Sequence, residues 1–315
     1  MQTILGSSGN IGTLLAGELQ KYTDKVRLVS RSPRRINNSD ELMSMDLTLP
    51  GALDRAVKGA EVVYLIVGFD YNIKVWENQW PVLMRNTIDA CIKYNARLVF
   101  FDNIYSYDEN EIPHMTEKSK INPPSRKGEI RREICEMLLS SVREGKLNAL
   151  IARSADFYGT DSSSIIPYQL IVKNLAAGRS AMWFIRSDAH HSFTYIPDAA
   201  KAVALLGNTA DVFGQIWHLP TDPAKITIAE FAEMIAAELH EKAHIRIMPM
   251  FIVRMMGLFN PVMKEMAEMM YQYDRDYFFD SSKFIKRFGF RPTEYRTGIK
   301  AMCNTYVPIA HRPAA

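Results

Sequence analysis

The sequence has little cysteine, no long uncharged apolar run and almost no charge imbalance. Its three cysteines, Cys91, Cys135 and Cys303, stand far apart, so neither a disulfide framework nor a metal clip of paired cysteines is expected, and no metal site is expected elsewhere. No stretch reaches the roughly 18 apolar residues that a membrane-spanning helix needs. The most apolar tract, Met248 to Leu258, is broken by Pro249, Arg254 and Gly257. Thirty-eight Lys and Arg stand against 35 Asp and Glu, a net +3, too small a bias for a long nucleic-acid footprint or an anionic membrane surface. A small molecule is therefore the expected partner, with no nucleic acid and no membrane. The first residues, Met1 to Gly6, carry no basic segment followed by an apolar one, and a reducing cytoplasm is the expected location.

What is present is enough apolar sequence, 47% over 315 residues, to bury a sizeable core. Short β-rich runs alternate with helical stretches: Thr3 to Leu5, a helix from Ile11 to Lys21, Val26 to Ser30, Glu61 to Val67, a helix from Trp76 to Tyr94, Arg97 to Phe101, a helix from Arg126 to Glu144, and Leu147 to Ala152. Continuous apolar strands in such alternation predict a parallel sheet buried on both faces. The fold class is α/β, a Rossmann-type doubly wound sheet over residues 1–155. Residues 156–315 form mostly a small C-terminal α/β substrate-binding region, with segments near 190–220 returning to the core. There Ile165 to Ala177 and Ile228 to His240 read as helices and Gln215 to Leu219 as a returning strand.

Directly after the first strand stands Gly6-Ser7-Ser8-Gly9-Asn10-Ile11-Gly12, running into a helix. Glycines permit the tight turn and let backbone N–H groups reach a pyrophosphate, while the helix N-terminus adds partial positive charge. Between a strand and a helix, this loop predicts a dinucleotide site. An NAD site would place Asp or Glu about 20 residues further on; here Ser30 and Arg31 stand at the end of the second strand, with Arg34 and Arg35 following. A guanidinium can pair with a 2′-phosphate, so NADP(H) is expected over NAD(H). Arg34 and Arg35 could equally be a solvated basic turn. Asp46, beside Leu47, could accept from the adenine amino group or cap a helix. Val67 and Gly68 end the fourth strand on the cofactor side, with Phe69 and Asp70 overhanging the substrate side.

With these segments in hand, the chain resembles an extended short-chain dehydrogenase/reductase of the NAD-dependent epimerase/dehydratase type. Arg153 through Tyr158-Gly159 is similar to that family's R-x-x-x-x-Y-G, Ile196-Pro197-Asp198-Ala199-Ala200 to its valine or isoleucine, x, Asp, x, Ala segment, and Phe288-Gly289-Phe290-Arg291-Pro292 to its closing LGFxP element. The resemblance implies a sheet carrying coenzyme at its carboxyl edge, with substrate between the sheet and a smaller C-terminal domain. It also implies hydride transfer at C4 of the nicotinamide, assisted by a Ser or Thr after the fifth strand and a Tyr-x-x-x-Lys pair. Dimerisation through the two long helices, a possible homodimer, is common among such proteins.

The chain departs from the resemblance where the chemistry sits. Setting Tyr107 on the family's Tyr-Gly puts Asn103 in the place of the Ser or Thr and Asp108 in the place of the Gly. The helix that should bring Tyr-x-x-x-Lys has no tyrosine; the family's interval places Lys127 on the Tyr and Arg131 on the Lys. An i, i+4 pair shares one helix face, so both can point at one ribose. Lys127 is then either the general acid of a reduction, its charge disfavoured by Arg131, or a ribose ligand in a protein that turns nothing over. Asn103 can donate to a developing oxyanion. Tyr105 could stand in for the missing phenol or merely pack. Ser154 follows the sixth strand at the nicotinamide edge, and Asp156 and Phe157 lie on the substrate side.

Met256, Met263, Met266 and Met270 fall at helical spacing and predict one buried stripe, either core packing or an apolar pocket or partner surface. The expected activity is that of an NADP(H)-dependent oxidoreductase on a partly apolar small molecule. Its rivals are a dinucleotide-binding redox sensor and a sugar-nucleotide epimerase or dehydratase.

Overall fold

The computed structural model describes residues 1–160 and 165–306. Its elements in chain order begin with β1 (Gln2–Leu5), α1 (Asn10–Leu19), β2 (Val26–Ser30), β3 (Glu41–Ser44), α2 (Ala52–Val57), β4 (Val62–Leu65), α3 (Ile73–Lys93) and β5 (Arg97–Asp102). Then come α4 (Arg126–Arg143), β6 (Ala149–Arg153), β7 (Asp156–Tyr158) and a π turn (Tyr168–Val172) that runs into the short α5 (Lys173–Leu175). Next are β8 (Ala181–Phe184), β9 (Phe193–Tyr195), α6 (Ile196–Gly207), β10 (Ile216–His218), α7 (Ile228–Leu239) and β11 (Ile245–Met248). Last come α8 (Met250–Gly257), α9 (Pro261–Ala267), α10 (Ser282–Phe288) and α11 (Tyr295–Tyr306).

Two compact units result. The first takes Met1–Ser106, Arg126–Ser154 and Ala199–Leu219; the second takes Tyr107–Ser125, Ala155–Asp198 and Pro220–Ala315. The first unit contains a seven-stranded sheet in the order β10-β6-β5-β4-β1-β2-β3, every pair parallel. Every residue of β1, β4 and β6 is buried, as in a parallel sheet covered on both faces. On the edge strand β3, by contrast, Leu42 and Ser44 are exposed. This is the α/β Rossmann-type architecture expected from the strand–helix rhythm. The strand order places the carboxyl ends of β1, β2 and β4 side by side, where such sheets open a crevice.

Local chemistry sets the ends of the helices. The helix expected from Trp76 starts earlier, at Ile73, because the Asn72 side chain accepts from the Lys74 and Val75 N–H groups at 2.9 and 3.4 Å and so caps it. In the second unit Thr227 and Glu230 form a reciprocal capping box that starts α7. The methionine stripe is corrected. Asn260 caps a new helix and Pro261 opens it, so the chain turns there and the four residues lie on α8, on α9 and in the turn after it. Met270 is buried, Met263 and Met266 are half-buried against the second core, and Met256 is exposed. Among the described residues no helix is long and apolar enough to cross a membrane, and no group of His, Cys, Asp or Glu is arranged to hold a metal ion.

Candidate functional site

The glycine loop closes tightly on the sheet. Gly6 has φ +93°, and its N–H and that of Ser7 donate to Val29 O at 2.9 and 3.2 Å, which ties the loop to β2. A Cβ on Gly6 would lie 2.9 Å from Val67 Cα, and one on Gly12 would lie 2.7 Å from Ser7 O. Both contacts are shorter than side chains tolerate, so these glycines permit close packing of loop, helix and strand. Gly9 differs: its Cβ would meet only Gly6 O, at an ordinary 3.6 Å. Gly9 caps α1 without any side-chain acceptor, and no acidic residue stands in the first turn. The helix end therefore offers N–H groups and partial positive charge to an anion.

From this loop a groove of about 790 Å³ runs along the carboxyl edge of the sheet. Gly6, Ser8 and Gly9 form one wall and Ser30, Arg31 and Ser32 another; Asp46, Leu47 and Thr48 follow, and Val67 to Asp70 close the far side. A Cβ on Gly68 would meet nothing within 4 Å, so a side chain there would enter open space. Ser8 Oγ lies 2.6 Å from Ser30 Oγ and donates to Ser32 O at 2.8 Å, which joins the loop to the end of β2.

Arg31 is exposed and lines the groove. Asp46 stands across from it, its carboxylate held below the usual range by hydrogen bonds from the Thr48 hydroxyl and N–H, with the Arg31 charge adding to the effect. Asp46 does not cap a helix; α2 is capped by Gly51. Arg34 is exposed and outside the groove lining. Arg35 donates to Asn38 O and Asp40 O at 2.9 and 2.6 Å and so braces its own turn. Asn10 and Ile11 lie in the first turn of α1 behind Gly9.

A second cluster lies on the buried face of α4. Lys127, Ile130, Arg131, Ile134, Cys135 and Leu138 form that stripe, with two cations at its start and apolar groups beyond. The Lys127 ammonium sits 4.7 Å from the centre of the Tyr71 ring. The Arg131 guanidinium sits 4.0 Å from the ring of Trp80 and 4.9 Å from that of Trp76, a cation–π arrangement. Burial pushes the Arg131 pKa down, and the nearby Asp102 carboxylate opposes that shift.

Asp102, the last residue of β5, holds this cluster together. Its Oδ2 accepts from Arg153 Nε and Nη2 at 3.1 and 2.9 Å and from Cys135 Sγ at 3.2 Å, while Arg131 Nη1 lies 3.5 Å from Oδ1. The same aromatic group reaches the groove: Phe69 packs edge-on against Trp80 at 5.0 Å, and Trp76 Nε1 donates to Asp70 O at 3.1 Å. Asp102, Tyr71, Trp76 and Trp80 carry no functional expectation in the sequence, and Arg153 enters there only as the start of the R-x-x-x-x-Y-G segment. The signal was an aspartate and an arginine in adjacent buried strands, in direct register, since a buried charge needs a partner.

Of the remaining residues, Asn103 accepts the Tyr105 N–H at 3.1 Å, a local turn. Tyr105 stacks on Trp76, 6.3 Å between ring centres at 19°. Ser154 is buried, and its N–H donates to Asp102 O at 3.1 Å. Asp156 and Phe157 belong to β7 in the second unit. There Asp156 Oδ2 accepts from Tyr273 OH at 3.2 Å and lies 3.0 Å from His191 Nε2.

Solved structures share this fold along nearly the whole chain. UDP-glucose 4-epimerase from Thermus thermophilus in complex with NAD superposes with a TM-score of 0.76 at 16% identity, covering 98% of this chain and 100% of that one. A double mutant of dTDP-glucose 4,6-dehydratase from Streptomyces venezuelae, with NAD bound, gives 0.77 at 15% identity and 98% coverage of each chain. UDP-N-acetylglucosamine 4-epimerase from Bacillus cereus gives 0.74 at 18% identity, covering 98% and 96%. At such identities the likeness is one of fold. No curated protein matches the sequence. The model of the NAD dependent epimerase/dehydratase family matches residues 3–218, which span the glycine loop, the whole parallel sheet and the cation-bearing helix α4, and the chain belongs to that family.

Proposed function

We propose that this chain is an enzyme that binds NADP(H) in the groove along β1, β2 and β4 and transfers hydride to or from a carbon bearing a hydroxyl or carbonyl oxygen. The observation that carries the reading is the end of β2. Ser30, Arg31 and Ser32 line the groove where a carboxylate would select an unphosphorylated ribose. A guanidinium with two flanking hydroxyls is instead a phosphate-binding set. The residues fit the rest of the coenzyme too. Gly9 and the uncapped start of α1 suit a pyrophosphate, Asp46 keeps an ionised carboxylate for the adenine amino group, and Gly68 leaves room beside β4.

When bound, the coenzyme supplies or takes up hydride at C4 of its nicotinamide. The chain itself then has one proton to manage. With Lys127 standing for the family's tyrosine and Arg131 for its lysine, the Lys127 side chain passes this proton: its ammonium donates to the substrate oxygen in a reduction, and its neutral amine accepts the hydroxyl proton in an oxidation. Tyr71 orients the ammonium, and the Asn103 amide donates a further hydrogen bond to the oxygen. Arg131, fixed by Asp102 and Trp80, is a positioning residue for α4.

Two versions of the reaction share this step. The family and its sugar-nucleotide neighbours favour an epimerase or dehydratase, in which the substrate is converted without net consumption of coenzyme. The absence of a phenol on α4 favours net reduction or oxidation of a partly apolar small molecule. The comparative support makes the first the stronger. Incubation with UDP-glucose and dTDP-glucose, and separately with NADPH and a panel of ketones, enals and quinones, distinguishes them: sugar conversion at constant NADPH gives the first, NADPH consumption the second. Tight NADPH binding with neither would leave a redox sensor.

Two sets of variants test the groove. Arg31→Ala is expected to weaken NADPH about 10- to 100-fold, from the loss of charge-assisted hydrogen bonds of roughly 1.5–3 kcal/mol, and to leave NADH nearly unchanged. Equal losses for both in a calorimetric titration would remove the 2′-phosphate from the account. Gly12→Ala forces Ser7 to shift and is expected to cost about 1–3 kcal/mol of stability. Gly9→Ala is expected to leave the melting temperature unchanged and to weaken NADPH and NADH alike, because its methyl group enters only the groove.

A further inference from the structure

The helical hairpin of α8 and α9, in the second unit, has two apolar faces. One packs inward: Val253 is buried, and Met250, Met263 and Met266 lie against the second core. Among the described residues nothing covers the other. Leu258 is 78% exposed and Phe259 is 89% exposed, and Phe251, Met255 and Val262 are each more than half exposed. Six of the thirteen exposed large apolar side chains among the described residues fall between 251 and 262, so they form one patch and are not scattered singly, as isolated surface apolar groups usually are.

The turn that carries them is firmly built. Leu258 and Phe259 donate through their N–H groups to Met255 O and Met256 O, each at 3.1 Å, and the Asn260 side chain accepts from Val262 N–H at 2.9 Å. At Gly257 the helices meet so closely that a Cβ would lie 3.0 Å from Lys264 Cα. Two large apolar side chains are thus held outward at the tip of a packed hairpin.

Charge identifies what this face fits. On the hairpin itself Arg254 and Lys264 are exposed and in no ion pair among the described residues, while its one acidic residue, Glu265, and Glu268 just after it are half-buried. An apolar tip with an exposed cation on each of its two helices, Arg254 and Lys264, suits an anionic lipid surface, with the apolar groups at the boundary of headgroup and acyl chain and the cations among the phosphates. Helices of 8 and 7 residues are far too short to span. A second copy of the chain fits less well, because a two-fold contact through this face would set its cations against their own copies. We propose that the α8–α9 hairpin docks the protein on anionic bilayers by inserting Leu258 and Phe259.

Flotation of the full chain with lipid vesicles tests the proposal. Binding to phosphatidylglycerol–phosphatidylcholine vesicles at low salt is expected, at least about tenfold weaker on phosphatidylcholine alone and in high salt. The pair Leu258→Asp and Phe259→Asp is expected to lower binding at least about tenfold at an unchanged melting temperature and unchanged NADPH affinity. The pair Arg254→Glu and Lys264→Glu is expected to abolish the preference for phosphatidylglycerol. Failure of the unaltered chain to float with phosphatidylglycerol vesicles overturns the proposal, as does undiminished flotation of the aspartate pair. A dimer in light scattering that the aspartate pair converts to monomer, with no vesicle binding, assigns the face to a second copy and equally overturns it.

Discussion

Lys127→Met is expected to lower kcat about 100- to 10,000-fold on whichever substrate the enzyme turns over, the range that a positioned general acid contributes. Lys127 is fully buried, with its ammonium over the Tyr71 ring, and methionine keeps the length of the stem while removing the donor. Because the substitution deletes a buried charge and leaves the aliphatic contacts, the fold should survive it. NADPH affinity and near-ultraviolet dichroism close to those of the unaltered chain would place the loss in turnover. Stopped-flow single turnovers separate a slower chemical step from altered binding. Full turnover by Lys127→Met would remove the lysine from the chemistry and turn attention to Tyr105.

Asp102→Ala is expected to lower unfolding free energy by about 3–5 kcal/mol in urea titrations, because it leaves buried charge without its counterion. Arg153 is fully buried and Arg131 nearly so, and Asp102 is the carboxylate that both reach. Asp102→Asn should lose less, since an amide oxygen still accepts from Arg153. A loss under about 1 kcal/mol for the alanine variant would mean that the two guanidinium groups are satisfied without the carboxylate. The same variants bear on catalysis: if Arg131 positions α4 through Asp102, the asparagine variant should lower kcat more than it raises KM.

The first unit was largely legible in the sequence because its signals are local. Val26–Ser30 is a strand in the sequence and in the structure, and Gly6 and Gly9 lie in the loop that their spacing predicts, with Gly12 in the first turn of α1. The second unit was harder, since β7 and β9 are three residues long and β8 and β11 four, too short for alternation to register. Periodicity also misled over the methionines. Their spacing reads through Asn260-Pro261, where capping chemistry ends one helix and begins another. The Asp102–Arg153 pair was missed for a different reason: fifty residues separate the partners, and only the β5–β6 register brings them together. Side-chain direction was equally hidden, so Tyr105 could be named but its stacking on Trp76 could not.

The claim on which the account rests is that the groove takes a phosphorylated nicotinamide dinucleotide, and direct titration of the unaltered protein with NADPH and NADH tests it most simply. Tighter binding of NADPH, by about tenfold or more if Arg31 pairs with its extra phosphate, is the predicted result. No heat with either nucleotide, or equal affinity for the two, would contradict it.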